Sequence, residues 1–140
     1  MPRRDAALMN LTPLRKLRSK IGMHTVCELH SFRRAAERAG MSEQEVSDLA
    51  DLLASDPTAG VEIPDTGGCR KVRVAGRGKG KSGGYRTITF YTGDKMPVFL
   101  VTVFSKGQRS DLSQAERNKM REVTKQIVEE YRTRVTVARA

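Results

Sequence analysis

The run Val98-Phe99-Leu100-Val101-Thr102-Val103-Phe104 is apolar at every position but Thr102. A strand with one wet face alternates apolar and polar residues, so a run without alternation belongs to a strand covered on both sides. A chain containing it must supply a layer of structure to each face of a sheet. The remaining sequence offers those layers. Ser31 can cap a helix carrying Phe32, Ala35, Ala36 and Ala39 that stops at Gly40. Ser42-Glu43-Gln44-Glu45 has the spacing of a capping box, in which Ser42 and Glu45 satisfy each other's free amides. The helix behind it sets Val46, Leu49, Ala50 and Leu53 on one stripe, with Glu43, Asp48 and Asp51 outside, and Asp56-Pro57 ends it. Ser113 and Glu116 repeat the capping box before a last helix with Met120, Val123, Ile127 and Tyr131 at helical spacing.

Other segments have the two-residue rhythm of strands. Thr25 to Leu29 reads as a short strand, and Val72 and Val74 alternate with Lys71 and Arg73. Thr87-Ile88-Thr89-Phe90-Tyr91 is β-branched and aromatic, and Thr92 to Lys95 is a turn. The order is strand, two helices, three strands, helix. It predicts an α+β domain: a small antiparallel β-sheet with an N-terminal helical hairpin and a C-terminal helix. A chain of 140 residues accommodates one such core. Residues 1–22, with Pro2, Pro13 and six basic side chains, read as a basic extension, disordered or a short helix; 23–140 form the domain.

Charge narrows the function. The net charge is +10, which points to a polyanionic partner. No carboxylate lies between Asp65 and Asp94, whereas Arg70, Lys71, Arg73, Arg77, Lys79, Lys81 and Arg86 crowd there. Such a run reads as an anion-binding face. No apolar stretch approaches the ~18 residues of a membrane span, and the two cysteines make no disulfide framework. A cytoplasmic protein without membrane contact is expected.

Ala75-Gly76-Arg77-Gly78-Lys79-Gly80-Lys81-Ser82 nearly spells a phosphate-binding P-loop. A P-loop must open directly into a helix, whose N-terminus receives the phosphates. Here Gly83-Gly84 and a β-branched segment follow, so the stretch reads as a glycine-rich hairpin loop. Arg77, Lys79 and Lys81 would project from it toward a phosphate chain.

Familiar catalytic sets do not assemble. His24 and His30 flank Cys27, but on a strand Cys27 points away from both, so no metal is expected. Cys69 has no evident base beside it. What remains is cationic. Lys71 and Arg73 leave one face of a strand, Arg86 starts the next strand, and Lys106 and Arg109 follow the apolar run. Spacing alone leaves two readings open: a nucleic-acid-binding face without chemistry, or a face that cleaves RNA. For the second, a ribose 2′-hydroxyl would attack the adjacent phosphate, and fixed cations would stabilise the charge on its equatorial oxygens. A lysine surrounded by cations would lose its proton more readily than the reference ~10.4 implies and could serve as base.

The runs Asp65 to Arg73 and Gly78 to Arg86 resemble the RelE/HigB-like toxins of bacterial type II toxin–antitoxin systems. So do Met96 to Leu100, Ser105-Lys106 and Ser110 to Arg117, and the likeness spans about Val26 to Tyr131. The resemblance implies a RelE-like fold and a ribosome-dependent mRNA endonuclease that needs no cofactor. Its partners would be the ribosome, mRNA and a cognate antitoxin, often of helix-turn-helix type. It also implies site roles. Lys71 and Arg73 match a basic strand pair that includes the proposed base, Arg86 matches a phosphate-steadying arginine, and Lys106 and Arg109 fall in a basic stretch after the last strand. Two positions depart: Gly107 stands for a second arginine and Ser113 for a tyrosine that stacks on an RNA base. Arg109 is the candidate for the first role, and Tyr85 or Tyr91 for the second. Arg70, Arg77, Lys79 and Lys81 would bind RNA. The rival functions are a gyrase-poisoning toxin of the same fold and a plain RNA-binding module.

Overall fold

A computed structural model describes residues 16–18, 24–76, 84–93, 95–105 and 111–139, with backbone only for 16–18 and 134–139. Strands β1 (Lys16–Arg18) and β2 (Val26–Glu28) lead into helices α1 (His30–Ala39) and α2 (Glu43–Ser55). Strands β3 (Val61–Glu62), β4 (Cys69–Val74), β5 (Tyr85–Phe90) and β6 (Val98–Ser105) follow, and helix α3 (Gln114–Arg139) ends the chain. The strands lie in the order β1-β2-β6-β5-β4-β3. All neighbours are antiparallel except β2 and β6, which run parallel. The sheet is therefore mixed rather than antiparallel. The helical hairpin carries the chain away after β2, so that β6 is free to pair beside it in the same direction.

β6 does what its composition demands. Val98, Leu100 and Val103 join Phe32, Ala36, Val46, Leu49, Leu53, Val72 and Tyr85 in a core beneath α1 and α2. Phe99, Val101 and Phe104 join Ile88, Phe90, Leu112, Val123 and Ile127 in a second core beneath α3. The alternation slips once. Ile88 pairs with Thr102 but Thr89 pairs with Leu100, which leaves Val101 as the extra residue of a β-bulge. A bulge disturbs the ladder, and the Val101 carbonyl accepts instead from the Ser31 hydroxyl at 2.6 Å. That contact corrects the expected role of Ser31. The residue preceding α1 is Leu29, which gives no side-chain cap, and Ser31 lies in the first turn.

The hairpin joint follows its sequence more closely. Gly40 takes a left-handed conformation (φ 78°) to end α1, as a residue without Cβ does at little cost. Ser42 and Glu45 form the capping box. Glu45 Oε1 accepts from the Ser42 amide at 2.8 Å and also from the Tyr85 hydroxyl at 3.2 Å. The box thus caps α2 and satisfies the polar end of a buried tyrosine. Ser113 and Glu116 build the matching box ahead of α3. At the other end of the chain, residues 16–18 form a strand pairing with β2, where the sequence suggested disorder or a short helix. The rest of the basic extension lies outside the described residues.

Candidate functional site

Strand alternation decides which basic residues meet. On β4, Cys69, Lys71 and Arg73 leave one side while Arg70, Val72 and Val74 leave the other. Register matches Cys69 with Phe90, Lys71 with Ile88, and Arg73 with Arg86. Cys69, Ile88 and Phe90 belong to the core beneath α3, so Lys71, Arg73 and Arg86 emerge on that same face. Arg73 is exposed and Arg86 half-buried, beyond the apolar part of the face.

Arg73 and Arg86 are directly opposed. Side chains in that relation have Cβ atoms ~5 Å apart, and like charges there repel. Among the described residues neither has a carboxylate partner. A pair of guanidinium groups held together without a counter-ion is a site prepared for an anion, and its planar forks suit phosphate oxygens.

Lys71 is placed differently. Its ammonium donates to Asp111 Oδ2 at 2.7 Å, an ion pair bridging 40 residues of chain. Asp111 Oδ1 accepts from the Leu112 amide at 2.8 Å, and Arg117 Nη2 lies 3.8 Å from Oδ2. The hydrogen bond from Lys71 holds the Asp111 carboxyl below the usual carboxylate range. The Leu112 amide and the Lys71 and Arg117 charges add to this, against partial burial. Lys71 is thus not a lysine among cations only, the condition assumed for its use as base. Gly60 (φ 95°) completes its surroundings: a Cβ there would collide with the Lys71 carbonyl oxygen, so β3 can approach β4 only with glycine at this position.

The other expected site residues scatter. Arg70 points to the hairpin side and donates to the Thr58 carbonyl at 3.2 Å, apart from the Lys71–Arg73–Arg86 face. Tyr85 cannot stack on a base: it is 1% exposed in the hairpin-side core, its hydroxyl bound to Glu45 and to the Gly40 carbonyl. Tyr91 lies past the far end of β5 from Arg86, edge-on to the His24 ring. Lys106 and Arg109, with Gly107, lie outside the described residues, as do Arg77, Lys79 and Lys81. The described chain resumes at Gly84 and enters strand β5, so the glycine-rich loop leads into a strand and not into a helix. Sequence reasoning passed over Asp111 and Arg117 as site members. An isolated carboxylate in a basic stretch just before a capping box was the available signal.

Neither cysteine is a nucleophile. Burial pushes the Cys27 and Cys69 thiols up to about 12, so neither is a thiolate at neutral pH. Cys27 is enclosed in the core beneath α3 while His24 packs against Tyr91. Among the described residues, no three His, Cys, Asp or Glu side chains converge as metal ligands. No described helix is long and apolar enough to cross a membrane.

Fold and face together define a small basic α+β protein with a helical hairpin on one side of its sheet and cations on the other. The family model described as "RelE toxin of RelE / RelB toxin-antitoxin system" matches residues 25–139. The chain belongs to the RelE toxin family: it is the toxin of a toxin–antitoxin system, with a cognate antitoxin as partner.

Proposed function

We propose that the protein is a ribosome-dependent mRNA endonuclease of the HigB-like branch that arrests translation in the cytoplasm. The observation that supports this best is the Arg73–Arg86 pair, two residues opposed across β4 and β5 with no carboxylate partner among the described residues. Cleavage needs a 2′-hydroxyl as nucleophile, supplied by the RNA, and stabilisation of the negative charge gathering on the phosphate. The 2′ oxygen forms a bond to phosphorus, the bond to the 5′ oxygen breaks, and a proton passes from the first oxygen to the second. The product is a 2′,3′-cyclic phosphate with a free 5′-hydroxyl. Arg73 and Arg86 hold the equatorial oxygens, joined by Lys71, Lys106 and Arg109. A base must first be a neutral amine, whereas the Asp111 carboxylate binds the ammonium of Lys71. We therefore assign Lys71 to charge stabilisation. No cofactor enters this chemistry. Arg77, Lys79 and Lys81 guide the RNA backbone, and the ribosome orients the message on the cationic face.

The test replaces the opposed pair singly. Arg73→Ala and Arg86→Ala leave the apolar core intact, and each should lower the cleavage rate of translated mRNA by about 10²–10³-fold, as loss of one fixed transition-state donor does. Primer extension on transcripts recovered after expression reads the cuts. Folded variants that still cut fully would show the site to be misassigned. Intact transcripts with damaged DNA after wild-type expression would favour gyrase poisoning instead.

A further inference from the structure

The carboxylate of Asp111 is an anomaly on a cationic face. It is 35% exposed, and its Oδ2 receives the Lys71 ammonium at 2.7 Å with Arg117 at 3.8 Å. Its other oxygen is tied to the backbone amide of Leu112, whose own side chain is buried beneath α3. That bond fixes the carboxylate in position. Its Oδ2 stands where a phosphate oxygen would: one anionic oxygen between an ammonium and a guanidinium, on the face that carries Arg73 and Arg86, which have no carboxylate partner among the described residues. A mobile surface carboxylate would have no such anchoring, and surface ion pairs of that kind contribute little.

We propose that Asp111 is the positioning residue of the cationic face, holding Lys71 in place before RNA arrives and competing with the RNA phosphate for it. This rests on the reading of the face as an RNA-binding surface. The incoming phosphate displaces the carboxylate from Lys71, so the intrinsic counter-ion lowers the affinity for any phosphate chain and favours one held firmly in register.

The experiment separates binding from cleavage by using a 2′-O-methyl oligoribonucleotide, which lacks the nucleophile. Its affinity for the full chain is measured by fluorescence anisotropy over a salt series. Asp111→Asn keeps an oxygen for the Leu112 amide and removes the charge. It should bind about three- to tenfold tighter near 0.1 M salt, with the slope of log K on log salt steeper by about 0.7, one more phosphate neutralised on a single strand. Asp111→Glu should return the affinity toward wild type. Asp51→Asn, which changes the net charge equally on the exposed side of α2, should have a smaller effect. The deciding step is the cycle with Lys71→Met: in that background Asp111→Asn should gain at most about twofold. An unchanged affinity for Asp111→Asn, or a gain undiminished by Lys71→Met, would overturn the proposal. Wild-type protein that binds the oligonucleotide but leaves translated mRNA uncut would overturn the endonuclease and leave the role of Asp111 standing. Wild-type protein that does not bind it would overturn the role of Asp111 and leave the ribosome-dependent endonuclease to be judged by its cuts in translated mRNA.

Discussion

The two faces of β4 and β5 are made by one alternating pattern and have opposite fates. On the hairpin side Val72, Tyr85 and Thr87 are enclosed beneath α1 and α2. On the other side α3 covers Cys69, Ile88 and Phe90, and the same rows continue outward as Lys71, Arg73 and Arg86. On the first face Val72, Tyr85 and Thr87 serve burial, with Arg70 and Val74 partly exposed toward its edge. The second is divided along its length, apolar where a helix lies over it and cationic where none does. What separates a core from an open cationic face here is the reach of the covering helix, since the strand geometry is common to both. Like charges directly across a ladder oppose folding. Arg73 and Arg86 are tolerated because the core behind them, with Val72, Tyr85 and Thr87 buried, supplies the stability.

The comparison is most easily broken by truncating one side chain from each face. Phe32 is fully enclosed in the hairpin-side core, and Phe32→Ala should cost about 3–5 kcal/mol of folding free energy, read by urea denaturation. Arg73→Ala, on the open face, should change stability by no more than about 0.5 kcal/mol while abolishing most cleavage. If Arg73→Ala destabilised the protein as much as Phe32→Ala, the open face would be structural and the division would fail.

Tyr85 sharpens the same boundary with a smaller effect. Its hydroxyl meets Glu45 and the Gly40 carbonyl, so Tyr85→Phe leaves those buried acceptors short of a donor. We expect a loss of about 1–2 kcal/mol in the same denaturation experiment, with the cleavage rate unchanged. A stable variant that cleaves poorly would return Tyr85 to the RNA side.

What could be read beforehand was what is local. The apolar run of β6 requires two covering layers, and both exist. Lys71 and Arg73 share a face because they are two residues apart on a strand. The same rule, applied to adjacent residues, places Tyr85 on the face away from Arg86, where it cannot stack on a base bound beside that arginine. Contacts distant in sequence were not legible. A three-residue β2 carries no signal that it pairs in parallel with β6, and neither the β1 strand nor the Ser31 bond to a bulge carbonyl follows from periodicity. The Lys71–Asp111 pair joins a strand to a helix entry 40 residues on, and only the tertiary fold brings them together.

That pair supplies the smallest of the expected effects and the one most particular to the open face. The Asp111 carboxyl is held below the usual carboxylate range in the folded protein, chiefly by the hydrogen bond from Lys71. An unfolded chain would hold it near the reference ~3.9. The stability this contributes is therefore fully present above that value and is lost as pH falls through the lower folded-state value, because the unfolded chain then binds the proton first. Both side chains are partly exposed, which keeps the contribution modest. The difference in unfolding free energy between wild type and Asp111→Asn, followed by denaturation from pH 6 downward, should be constant until about pH 4–5 and then shrink. In Lys71→Met, which removes the main cause of the shift, most of that pH dependence should vanish. A difference that stayed flat through the acid range would mean the carboxylate is not bound to Lys71 in solution, and Lys71 would then join Arg73 and Arg86 as a cation without a carboxylate partner among the described residues.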